Sequence, residues 1–266
     1  MGLEEIEGLL VANETIEKHH YKLWLSSVRI LDRILGNATQ TRSDIRIEEL
    51  LEKAKLYVPH QQLIKAEEVL SREHCLIISG PPGIGKTTMA EMLALKFIEV
   101  GFQVLFVASV DELEAKYNSD AKQVFVYDDF LGRANFREAP DASAQERLFT
   151  IMRHISRRPN KHFILTTREY LYREAHAAND RLAASRAHLI KCLLDVEGYS
   201  TENRAKILYN HLYWAPGISS DSLAEFVSVK GYWDVIRHPN FNPRWIADTL
   251  DRLAEPESTS GGLPWT

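Results

Sequence analysis

The chain has 266 residues, 45% of them hydrophobic and 26% charged, with 13 Gly and 10 Pro; it can bury a sizeable core and is not a disordered tail. Its 32 Lys and Arg against 37 Asp and Glu leave a net charge of -5, which argues against wholesale binding to nucleic acid or an anionic membrane but permits a local basic patch. Cys75 and Cys192 lie far apart with no metal-spaced partner, no apolar run approaches the ~18 residues of a membrane span, and the start is acidic, so a reducing, cytoplasmic setting is expected.

In chain order, residues 1–56 read as a helical N-terminal region, in which Leu9, Leu10, Ile16, Tyr21, Leu25 and Val28 recur at roughly helical spacing. A polar break at 36–44 is followed by an amphipathic helix from Ile45 to Tyr57, and Pro59 marks a boundary. The next element is Cys75–Ser79, a short continuous apolar run that suits a strand buried on both faces of a parallel sheet. A helix follows over Lys86–Val100, closed by Gly101. Further strands are predicted at Gln103–Ala108, Gln123–Tyr127 and His162–Thr166, with a fifth inside Ala187–Leu194 and helices near 111–118 and 143–157. Such alternation implies βαβ units and a three-layer α/β/α parallel sheet. Beyond 197 only helices are predicted: Thr201–Trp214, Ser220–Val229, Gly231–Arg237 and Pro243–Leu253. The expected organisation is therefore a helical region (1–56), an α/β core (57–197), an all-helical lid (198–254) and a disordered tail (255–266).

The chemistry starts at Gly80-Pro81-Pro82-Gly83-Ile84-Gly85-Lys86-Thr87, which satisfies G-x-x-x-x-G-K-[ST] between a buried strand and a helix N-terminus. Its glycines let backbone N–H groups turn around phosphates, and the helix dipole favours their charge. With Thr88, these residues form the predicted nucleotide cradle: Lys86 reaches the β- and γ-phosphates and Thr87 places its hydroxyl on Mg2+.

A phosphate loop of this type needs an acidic partner on a neighbouring strand, and Asp128 and Asp129 supply it at the end of Gln123–Tyr127. Asp128 is the Mg2+ candidate, through a water, and Asp129 the general base that aligns the attacking water; the alternative is an ordinary acidic turn. The Gln103–Ala108 strand lies between these two motifs, a spacing that suits the additional-strand branch of P-loop NTPases.

At the end of the next strand, Thr167 and Arg168 are candidates to sense the γ-phosphate, Arg168 adding charge to a phosphoryl transition state. The competing reading makes Thr166 or Thr167 a helix cap and Arg168 a solvated residue. Asn160-Lys161-His162-Phe163 lacks the aspartate of a guanine-reading N-K-x-D, so adenine is favoured, held near Tyr57-Val58-Pro59-His60 with Val58 as the apolar contact. Arg133 and Arg137 are candidates for an arginine finger acting in trans, with solvated charge as the alternative.

Taken with Val124-Phe125-Val126-Tyr127-Asp128-Asp129-Phe130-Leu131-Gly132, Ile164-Leu165-Thr166-Thr167-Arg168-Glu169 and His238-Pro239-Asn240-Phe241-Asn242-Pro243-Arg244, the phosphate loop resembles the STAND class of P-loop NTPases. These are relatives of AAA+ and NB-ARC ATPases, and the resemblance over residues 45–253 is to novel STAND NTPase type three in particular. It implies a slowly hydrolysing ATP/ADP switch that oligomerises with nucleotide and activates an attached effector, often in bacterial anti-phage defence. It further implies that Pro243 and Arg244 lie where the lid closes over nucleotide, Arg244 as a second sensor arginine; a surface residue after a first-turn proline is the alternative. Effector and sensor domains expected of such proteins are not recognised in these residues. Two other readings remain: an AAA+-like motor or loader acting on nucleic acid, and a non-catalytic nucleotide-binding scaffold, disfavoured by the intact Asp128 and Asp129.

Overall fold

The computed structural model describes residues 44–130, 142–167, 189–196, 198–215 and 218–254. In chain order the first half carries α1 (Asp44–Leu56), α2 (Gln61–Glu73), β1 (Cys75–Ser79), α3 (Lys86–Glu99), β2 (Gln103–Val107), α4 (Val110–Lys116), β3 (Gln123–Phe130), α5 (Ala142–Ile155), β4 (Lys161–Thr167) and β5 (Leu193–Asp195). The second half carries α6 (Thr201–Trp214), α7 (Ser220–Ser228), α8 (Tyr232–Arg237) and α9 (Pro243–Ala254). The expected helices at 1–35 and the tail after 254 lie outside the described residues.

All five strands are parallel, in the order β2-β3-β4-β1-β5. This is the additional-strand arrangement, but the strand that separates β1 from β3 in the sheet is β4, not β2 as chain order suggests. The connection through α3 passes over two strand positions and lands at the edge, and β4 later fills the gap. Sequence order cannot reveal such a skip, because every βαβ crossover has the same local pattern.

β1 and β4 are buried along their whole length, which explains their unbroken apolar character. Cys75, Ile77, Phe125, Phe163 and Leu165 form one core with Val110 and Leu113 of α4 and Leu148, Met152 and Ile155 of α5. The strand residues one position out of phase, Leu76, Ile78, Val124, Val126 and Ile164, are buried on the other face. α3 packs across β1 to β4 and buries Met89, Met92, Leu93, Leu95 and Ile98. Each such side chain stabilises the fold by about 1.5–3 kcal/mol relative to exposure.

Cys192 joins the same core as Cys75, so two thiols distant in sequence become neighbours. Contact with the Cys192 thiol and burial together push Cys75 well above the usual thiol range, and the two thiols are not joined in a disulfide.

Helix α2 occupies a stretch to which the sequence reading assigns no element. Its buried stripe, Leu63, Ala66 and Leu70, recurs at helical spacing on an otherwise largely polar and charged run, so the signal for an amphipathic helix is present in the sequence. By contrast, α3 ends as expected: Gly101 has φ +82° and its N–H bonds to Ile98 O at 3.0 Å. Lys53 of α1 reaches the buried Glu91 of α3 through both carboxylate oxygens, at 2.7 and 3.0 Å.

The described residues divide into two compact units: one runs from α1 to β5 except Leu56–Val58, and the other takes Leu56–Val58 with α6 to α9. In the second unit, Val58, Ile207 and Phe241 form a small core against which Tyr199, Val235 and Ile246 pack. Arg204 ties it together by donating to Tyr199 O, Ile236 O and His238 O at 3.1, 3.2 and 3.0 Å, with its guanidinium over the Phe241 ring. Asn242 caps α9 by accepting the Arg244 N–H at 3.0 Å, which leaves Pro243 at the first helical position.

Candidate functional site

Because the strands are parallel, their C-terminal ends gather on one edge, and register brings the motifs together there. Ser79, the last residue of β1, is paired with Thr167 on one side and Asp195 on the other, while Thr167 is paired with Phe130. The phosphate loop, the acidic pair and the two threonines of β4 therefore meet at the carboxyl edge, where α/β sheets hold their ligands.

The loop from Gly80 to Gly85 uses backbone conformations that favour glycine: φ is +151° at Gly80, +77° at Gly83 and +90° at Gly85. At Gly80 space matters as well, since a Cβ there would meet Val196 O at 2.9 Å. Lys86 is buried, and its Nζ donates to Gly80 O and Pro81 O, both at 2.9 Å. These carbonyls are neutral acceptors; phosphate oxygens are charged and bind an ammonium more strongly, so exchange toward a nucleotide is favourable.

Next in sequence, Thr87 Oγ1 donates to Asp128 Oδ1 at 2.8 Å, a contact spanning the helix after β1 and the end of β3. A hydroxyl that gives its single hydrogen to a carboxylate keeps its lone pairs for a cation. Oxygen donors from one threonine and one aspartate, with room left for waters, are the set that Mg2+ takes in phosphate sites. Thr87 and Asp128 thus fit the predicted cation, and Lys86 with the Gly80–Thr88 segment fits a nucleotide phosphate.

Asp128 Oδ1 also accepts from Thr166 Oγ1 at 2.6 Å. The sequence pattern favours Thr167 as the sensing residue and offers Thr166 only as a helix cap. The reason lies in β3: between the pairs Tyr127–Leu165 and Phe130–Thr167 a bulge sets Asp128 and Asp129 against the single residue Thr166. Bulges are rare in parallel pairs and common beside active sites, where they re-aim a side chain. The adjacency of D-D and T-T at two strand ends is the one signal in the sequence that could have suggested it.

The remaining candidates are distributed as follows. Thr167 is buried at the end of β4, and Thr88 is half-buried in the first turn of α3. Asp129 stands on the β3 backbone, but its side chain lies outside the described residues, as do Arg168, Arg133 and Arg137 altogether. Ile84 is buried, Gly83 and Gly85 are half-buried, and Pro81 and Pro82 are exposed. In the segment expected to hold adenine, Val58 is committed to the Ile207–Phe241 core, while burial pushes His60 down to about 4. Arg244 is exposed on α9 of the second unit, and Pro243 precedes it.

An additional-strand parallel sheet with a lysine-bearing phosphate loop and an acidic strand end, bridged by a threonine, defines an ATP-binding P-loop NTPase, that is, an ATPase. The sequence model of the family described as Novel STAND NTPase 3 matches residues 57–214, and the chain belongs to that family. No curated protein matches the chain in sequence. Among solved structures, domain III of the replication initiation protein DnaA from Thermotoga maritima is similar, with a TM-score of 0.50 and 18% identity over 74% of this chain and 85% of that one. DnaA from Aquifex aeolicus bound to AMPPCP gives a TM-score of 0.43 at 15% identity, covering 74% and 68% of the two chains. PCH-2 from C. elegans gives 0.43 at 14%, covering 74% and 60%. At these identities the likeness is one of fold.

Proposed function

We propose that the chain is the nucleotide-binding part of a slowly hydrolysing ATP switch of the STAND type. In this reading ATP is held by Lys86 and the Gly80–Thr88 loop, Mg2+ by Thr87 and, through water, by Asp128. The bound cation would neutralise charge on the β- and γ-phosphates. Asp129 accepts the proton of the attacking water, and Thr167 and Arg168 respond to the γ-phosphate. The observation that carries the proposal is the Thr87–Asp128 hydrogen bond of 2.8 Å, because it joins the loop and the acidic strand in the manner a cation-dependent phosphoryl site requires. Family membership supports the switch, and the resemblance noted in the sequence extends the proposal to nucleotide-dependent self-association and to a role in bacterial signalling or anti-phage defence.

The test is the nucleotide carried by purified protein and by Asp129→Ala, together with the mass of each in ADP and in a non-hydrolysable ATP analogue. The wild type should carry ADP and enlarge with the analogue, and Asp129→Ala should bind Mg·ATP without cleaving it. Rapid continuous turnover with no change of mass would refute the switch; unchanged turnover in Asp129→Ala would remove that residue from the base role.

A further inference from the structure

We propose that Thr166 is a positioning residue that fixes the Asp128 carboxylate for the cation, a proposal that rests on the nucleotide reading above. Three observations lead to it. Thr166 Oγ1 donates to Asp128 Oδ1 at 2.6 Å, and the same oxygen accepts from Thr87 Oγ1 at 2.8 Å. Thr166 is 1% exposed, so its hydroxyl does not exchange this bond freely with water. The bulge in β3 places the whole Asp128-Asp129 pair opposite this one residue of β4.

The chemistry follows from counting donors and lone pairs. An ionised carboxylate offers about four acceptor sites and no donor, whereas each threonine hydroxyl has one hydrogen to give. With two hydroxyls on Oδ1, that oxygen is engaged from the α3 side and from the β4 side, and Oδ2 is left to receive the hydrogen of a cation-bound water. One bond alone would let the carboxylate pivot about it; two bonds from different elements fix its plane. Partners of this outer kind set the orientation and basicity of a ligand group and typically change metal affinity by 10–100-fold when removed. The strand order gives the arrangement its logic. β4 lies between the phosphate-loop strand and the acidic strand, so a residue at its carboxyl end braces the acidic side chain from within the sheet on the side that faces the phosphate loop. Thr167, one residue on, is paired to Ser79 and Phe130, which holds that end of β4 in register.

The proposal separates from a merely structural role, in which the hydroxyl satisfies a buried position and nothing more. Full-length wild type, Thr166→Val and Thr166→Ser would be compared for ADP affinity in chelator, by calorimetry, and for Mn2+ affinity in saturating ADP, by the loss of the free-ion electron paramagnetic resonance signal. Thr166→Val should keep its cation-free ADP affinity within about twofold and bind Mn2+ roughly tenfold more weakly, while Thr166→Ser, which keeps the donor, should stay within about threefold of wild type. Wild-type Mn2+ affinity in Thr166→Val overturns the proposal, as does an equal loss of ADP affinity in chelator. If the wild type itself binds no ADP, the nucleotide reading fails and this one with it; if the wild type binds and the valine variant is indistinguishable, only this one fails. Should Thr166→Val lose its cooperative thermal transition, Thr166→Ala carries the same expectation and the same refutation.

Discussion

Replacing Gly80 by alanine perturbs the entrance to the phosphate loop in two ways at once. The residue has φ +151°, and an added Cβ would lie 2.9 Å from Val196 O and 3.4 Å from both Val196 Cβ and Ile84 Cγ2. Val196 cannot simply retreat, because its own N–H donates to Ser79 O at 2.8 Å, extending the β1–β5 pairing. A side chain forced into a glycine-only backbone region costs about 1–3 kcal/mol. Pushing aside packed neighbours adds about 1–3 kcal/mol. The expected destabilisation is therefore about 2–6 kcal/mol, and at about 2–4 °C per kcal/mol for a domain of this size the midpoint should fall by roughly 4–24 °C. Circular dichroism melts read this directly, and two further variants calibrate it. At Gly101, φ is +82° but nothing lies within 4 Å of an added Cβ, so Gly101→Ala isolates the backbone cost, about 1–2 kcal/mol. At Gly198 the nearest atom is Arg204 Nη2 at 3.9 Å and φ is ordinary, so Gly198→Ala should lie within about 0.5 kcal/mol of wild type. A Gly80→Ala protein that melts within about 1 °C of Gly198→Ala would refute the claimed constraint.

Two further outcomes follow from the same geometry. Lys86→Ala removes the ammonium now held by Gly80 O and Pro81 O; losing even one charge-assisted bond to phosphate, about 1.5–3 kcal/mol, weakens nucleotide binding by roughly 10- to 150-fold, and normal affinity by calorimetry would sink the assignment of the loop. His162 is packed among Phe97, Phe102 and His74, and burial, then the neighbouring His74, lowers its folded pKa from 6.5 to about 4. A depressed histidine pKa means that the folded state prefers the neutral ring, so this contribution is present above pH 6.5 and is lost as pH falls toward 4. His162→Phe should reduce the loss of stability between pH 7 and 5 by about 2 kcal/mol in urea titrations, with His60, lowered to about 4 by its own burial, and His211, lowered by burial as well, contributing to the acid sensitivity that remains; an unchanged pH slope would contradict the assignment.

The parts of the site that were legible in the sequence are those whose chemistry is contiguous. Gly80 to Thr87 announces itself because a phosphate loop is built from neighbouring residues on one strand-to-helix turn, and Asp128 because a strand end presents it. Helices α6 to α9 were also readable, with α6 found at the predicted Thr201–Trp214, since serine caps such as Ser200 and Ser219 mark helix starts locally. α2 was not assigned, although Leu63, Ala66 and Leu70 repeat at helical spacing, because it is largely polar and lacks a side-chain cap at His60 to mark its start. Thr166 was missed for a different reason: its role depends on a bulge in another strand, and nothing within Leu165-Thr166-Thr167 records that.

What the sequence by itself determined, then, is the class of chemistry: a phosphate loop of the G-x-x-x-x-G-K-[ST] type, followed by an acidic strand end on a parallel sheet. Only the tertiary structure decided which strand stands between cradle and acid, that β4 rather than β2 fills that place, and that Thr166 and Thr87 share one oxygen of Asp128. The physical reason is the range of the forces concerned. Turn conformations and burial patterns are written in adjacent residues, whereas strand order and hydrogen bonds across 38 and 41 positions exist only once the crossovers have closed.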